Sequence, residues 1–133
     1  MLFRSRPLDV EDARSVSFAG SVIPDPDVGG SPFDVSFQVE QGGADASARG
    51  SFEALGADGA RGLTLVRLGL LQTRGAWAAF SLRLADENGV ERGGYVVIDG
   101  EDPMSDDEGV TLVIVVEGRD PMVGRATGVL SVQ

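Results

Sequence analysis

The chain has 133 residues, enough for one domain with one core, and its 21 acidic residues against 11 basic ones give a formal charge of −10. All the basic residues are arginine, and the absence of lysine, histidine and cysteine excludes disulfides, thiolate nucleophiles, a Ser-His-Asp triad, Schiff-base lysines and a Walker lysine. The arginines are scattered from Arg4 to Arg125, so no basic face forms for nucleic acid or anionic lipid.

Residues 1–14 read as a leader or a short helix. Ser5 would be the N-cap, Pro7 sits in the first turn, and Asp9, Glu11 and Asp12 suit the positive end of the helix dipole. Residues 15–133 then read as a single β domain, because the hydrophobic period becomes two. Val16, Phe18, Gly20 and Val22 alternate with small or polar residues. A loop rich in proline and glycine runs from Pro24 to Pro32. Phe33, Val35, Phe37 and Val39 mark the clearest strand, and Gln41 to Asp45 a turn.

Residues 47–55 alternate again, with Ala48, Gly50, Phe52 and Ala54 on one face. Residues 62–72 are apolar but slip in phase between Leu65 and Val66, which predicts a bulge or a strand passing between sheets. Ala78, Phe80, Leu82 and Leu84 face inward, while Trp77, Ala79, Ser81 and Arg83 face outward. Asn88-Gly89 is the strongest hairpin signal in the chain. Gly94–Ile98 follows as a strand, with Tyr95 expected in the core. Val110–Glu117 reads as a central strand buried on both faces. The last strand covers 123–132, with Ala126, Gly128, Leu130 and Val132 on one face.

Short strands about ten residues apart, with no room for crossover helices, give an all-β fold. The primary expectation is an antiparallel β-sandwich of about eight strands; a closed eight-stranded barrel is the alternative.

The acidic stretch from Asp99 to Glu108 is the first candidate site. Asp99, Asp102, Asp106, Asp107 and Glu108 supply hard oxygen ligands of the kind calcium takes, without EF-hand spacing, and Asp25 and Asp27 form a second acidic loop that would have to approach it. No other cofactor is expected. The second candidate is Trp77 with Arg83 on the polar face of their strand, a pair able to stack on a sugar or hold a partner's side chain. A carboxylate pair working as acid and base, Asp99 with Asp106 or Glu53, needs no histidine, lysine or cysteine.

Phe37–Val39, Gly50–Phe52, Leu63–Leu70, Ala78–Phe80, Asn88-Gly89, Tyr95–Asp99, Asp106 or Asp107 before the apolar strand, and Gly128–Leu130 follow one another in a particular cadence. In that cadence the region from Phe33 to Val132 resembles the post-COAP type β-sandwich modules of bacterial secreted and surface proteins. The resemblance implies a non-catalytic stalk or accessory domain and brings no functional residues with it.

The functional expectation is a non-catalytic interaction or structural module. The alternatives are a barrel binding a small apolar ligand, lined by Phe18, Phe37, Phe52, Phe80 and Leu82, and a carboxylate-dependent hydrolase. Edge strands without lysine guards leave a protein partner or self-association open. Nucleic acid and membrane insertion are not expected. Without a signal peptide's apolar segment the chain reads as cytoplasmic, or as extracellular if it is excised from a larger secreted protein.

Overall fold

Alternation with a period of two builds eight strands, and no helix forms among the described residues. The computed structural model describes residues 13–25, 27, 31–42, 47–56, 61–100 and 110–133. The strands are β1 (Arg14–Pro24), β2 (Phe33–Gln41), β3 (Arg49–Leu55), β4 (Thr64–Arg74), β5 (Trp77–Ala85), β6 (Glu91–Asp99), β7 (Val110–Val116) and β8 (Met122–Val132). Arg14, which the sequence reading assigns to the leader, opens β1; residues 1–12 lie outside the described residues.

All eight strands belong to one antiparallel sheet in the order β3-β2-β1-β8-β7-β6-β5-β4. The all-β, eight-strand expectation holds. Of its two arrangements the barrel is the one present: a single sheet curls until β3 approaches β4, in place of two stacked layers. Strand β7 is central as expected; Leu112, Ile114 and Val116 are buried inside, while Val113 and Val115 on the outer face are only half-buried. Tyr95 is not in the core. Val96 and Ile98 take the inward phase of β6, which turns Tyr95 outward and leaves it exposed.

The interior is filled by the inward face of each strand. Phe37 packs its ring against Phe18 at 6.0 Å, Phe52 at 6.3 Å and Phe80 at 5.1 Å. Phe80, Ile98, Leu112 and Ile114 are fully buried, each stabilising the fold by about 1.5–3 kcal/mol relative to exposure. Serines, charged residues and threonines occupy much of the outer face. Among the described residues no helix is long and apolar enough to cross a membrane.

Curvature comes from glycines and bulges. Gly20 faces Gly128 across the β1–β8 pair, where a Cβ on Gly20 would collide with the Thr127 carbonyl oxygen and sit 2.9 Å from the Phe18 ring. Strand β4 shifts register against β5 twice, between Leu65 and Arg67 and between Leu68 and Leu71. The first shift is the bulge that the phase slip at Leu65–Val66 predicts. At the second, the Leu70 N–H donates to the Ser81 hydroxyl at 3.0 Å.

The sheet closes on itself at one end, where β1 begins and β2 finishes. The Ala48 N–H donates to the Gly69 carbonyl at 2.7 Å. Beside it, Gln41 Oε1 accepts the Leu71 N–H at 2.9 Å, and Arg14 Nη1 donates to the Leu71 carbonyl at 3.0 Å. Among the described residues Gln41 is the one buried polar side chain. Replacing it with leucine keeps the bulk but leaves a buried N–H unmet, a loss of about 1–3 kcal/mol. Gln41→Leu therefore lowers the urea midpoint with little change in slope. An unchanged midpoint would show that this contact does not hold the barrel closed.

Candidate functional site

Strands β3 and β4 are consecutive in sequence, yet past the Ala48–Gly69 contact they do not pair. From Gly50 to Leu55 and from Thr64 to Leu68 no backbone hydrogen bond joins the two strands among the described residues. The space between them is a cleft of about 490 Å³ at the end of the barrel where β3 finishes and β4 begins. Alternation sets its character. Phe52 and Ala54 from β3, Leu65 from β4, Leu84 from β5 and Leu63 before β4 form an apolar floor. The opposite phase brings Glu53 and Leu55 to the rim, joined by Thr64 and Arg61.

A shallower groove of about 290 Å³ runs from that rim over the outer face, between Ser21, Asp34, Ser36 and Glu53. There the Ser21 hydroxyl donates to Asp34 Oδ1 at 2.8 Å. Glu53 and Leu55 border both the cleft and the groove.

Arginines close the same end of the barrel beside the cleft. Arg92 lies opposite the inward-facing Leu84. Its guanidinium reaches the Glu117 carbonyl at 3.3 Å and Asp86 Oδ2 at 3.5 Å, while its buried Nε has no partner. Arg119 Nη1 donates to the Arg61 carbonyl at 3.1 Å, tying the β7–β8 turn to the start of the β4 segment. Asp86 Oδ1 accepts the Asn88 and Val90 N–H groups at 2.9 and 3.0 Å, which fixes the Asn88-Gly89 hairpin turn. The Val90 N–H holds the Asp86 carboxyl below its ordinary 3.8, helped by the Asn88 N–H and by Arg92, with partial burial opposing them.

Of the two candidate sites expected from sequence, the structure describes Trp77 and Arg83 of one and Asp99 of the other. Trp77 and Arg83 share the outer face of β5 but stand six residues apart, about 20 Å along a strand. Arg83 pairs with Glu91 at 2.9 Å, and Trp77 lies opposite Arg74 and Asp99. The two therefore do not form one binding site. Asp99 stands opposite Thr111, and Arg125 stands opposite Thr111 from the other side, so a guanidinium shares its row.

Asp102, Asp106, Asp107 and Glu108 lie outside the described residues. Among the described residues no three acidic side chains come together in a metal-holding group. Asp25 follows β1 at the end opposite the one where β6 leads into residues 100–109, so the two acidic loops leave from opposite ends.

Of the proposed carboxylate pair, Glu53 borders the cleft and Asp99 does not. Of the expected pocket residues, Phe18, Phe37, Phe80 and Leu82 are buried in the filled interior, and only Phe52 reaches the cleft. The sequence reading passed over Gln41 and Leu84 as site-forming residues. Gln41 had a legible signal: it continues the inward phase of Phe33, Val35, Phe37 and Val39, so a polar side chain was due to point into the core.

Compared with known protein families, curated proteins and solved structures, the chain matches none.

The lowered Asp86 titration has a definite sign. The unfolded chain holds this proton more tightly, so the contribution to stability is full above pH 3.8 and disappears as pH falls through the lower folded value. The stability gap between the wild type and Asp86→Asn is therefore expected to be wide at about pH 6 and to narrow towards about pH 2. Urea unfolding at both pH values measures it, and a gap that stays constant would contradict the assignment.

Proposed function

We propose that the chain is a non-catalytic interaction module and that its contact site is the β3–β4 cleft. The observation that carries this reading is the cleft's construction: an apolar floor, a few polar groups on the rim and a volume of about 490 Å³, within the range of ligand sites. The chemical inventory supports it as well. A sequence without histidine, lysine or cysteine leaves carboxylates as the main catalytic groups, and among the described residues the cleft lining holds one, Glu53. The acid–base mechanism needs two across the same bond. The apolar floor also favours a second reading, in which the ligand is a small apolar molecule.

An anilinonaphthalene sulfonate dye provides the test, followed by amide chemical shifts of the labelled protein. One dye per chain should bind saturably, with shifts confined to Phe52–Leu55, Leu63–Leu65 and Leu84. Ala54→Phe, which fills the cleft from β3, should weaken binding by about tenfold or more. Val129→Ala on the far outer face should leave it unchanged. Shifts centred elsewhere, or no difference on filling the cleft, would move the contact site away from β3–β4.

A further inference from the structure

We propose that the cleft receives an extended peptide from a partner protein as a ninth strand; the proposal rests on the cleft being the contact site. Every other neighbouring strand pair in the sheet carries a ladder, whereas Gly50–Leu55 and Thr64–Leu68 face each other without one among the described residues. Such edges present N–H and C=O groups at strand spacing, and strand addition recognises a partner through those groups.

At the end where the sheet closes, β4 is already met by peptide-like groups. The Gln41 carboxamide oxygen takes the Leu71 N–H as a peptide carbonyl would. Arg14 gives an N–H to the Leu71 carbonyl as a peptide amide would. Ala48 supplies a true peptide N–H to Gly69. The chain thus satisfies β4 at this end with peptide-like groups from the ends of β1 and β2 and from the residue before β3, and among the described residues the rest of the two facing edges carries no ladder. The chemistry that continues this pattern is an amide backbone.

A guest strand would meet a definite side-chain pattern. Its inward residues would rest on Phe52, Leu65 and Leu84. Its outward residues would pass Glu53 and the exposed Leu55 and Val66. The rim carries Glu53 on the β3 side and Arg61 on the β4 side; Glu53 has no ion-pair partner among the described residues, and the chain's net charge of −10 favours a basic peptide over an acidic one. The partner segment is therefore an extended peptide with apolar residues at alternate positions and cationic residues between them.

The probe is a capped seven-residue peptide alternating valine with lysine or threonine. Its comparators carry N-methyl groups on alternate backbone amides, in either phase. The unmodified peptide should bind saturably and slow amide exchange within Gly50–Leu55 and Thr64–Leu68. N-methylation in at least one phase should weaken it by about tenfold or more. Equal binding by all the peptides would overturn strand addition. If the dye binds the cleft but no peptide does, strand addition fails and the cleft remains the contact site. If neither binds, both readings fail. Slowed exchange at the same amides that grows with protein concentration, without peptide, would assign the gap to a second copy and overturn the peptide proposal.

Discussion

A sheet that curls into a barrel has to join its two outermost strands, and here that demand falls on β3 and β4. They are joined beside the start of β3, where the Ala48 N–H donates to the Gly69 carbonyl, and two residues on the N–H and C=O of Leu71 are taken by side chains from the ends of β2 and β1, Gln41 and Arg14. A carboxamide and a guanidinium are reasonable substitutes for a neighbouring strand, because they offer the acceptor and the donor that a peptide bond would. Burying Gln41 without a partner would be costly. Its presence in the core therefore ties the end of β2 to one position on β4.

The rest of the architecture follows from where that tie sits. With β3 and β4 fastened near Gly69 and Leu71, the two register shifts in β4 bend it along β5 rather than along β3. The edges are left apart over the remaining length of β3. The barrel interior does not supply the binding space, because Phe18, Phe37, Phe52 and Phe80 fill it ring against ring. The usable concavity lies between strands instead, beside an end of the barrel closed by Arg92 and Arg119. A rigid, packed barrel with one interrupted seam is a scaffold suited to holding something at that seam.

Much of the fold was legible in the sequence because each strand states its inward face by alternation. Phe33–Val39 and Ala78–Leu84 point as their patterns say, and the phase slip at Leu65–Val66 marks a real bulge. The choice between sandwich and barrel was not legible. It depends on which strands meet at long range, and on glycine pairs such as Gly20 with Gly128, whose partnership is invisible in a linear chain. The candidate sites fared differently for a physical reason. Charge clusters and aromatic residues attract notice by type, but a cleft made by the absence of pairing has no residue type of its own. Trp77 and Arg83 share a face without sharing a neighbourhood, and Tyr95 shows that an aromatic residue beside apolar ones still obeys the strand's phase.

The central claim is that the β3–β4 seam is fastened at Gly69 and Leu71, by Ala48 and by the ends of β2 and β1, and is open beyond them. Residue-resolved amide hydrogen exchange of the unliganded protein tests it most directly, since protection reports which backbone groups are bonded. The account predicts strong protection at Ala48 and Leu71, together with rapid exchange at alternate amides of Gly50–Leu55 and Thr64–Leu68, those facing the gap. Uniform protection along both edges, or rapid exchange at Leu71, would contradict it.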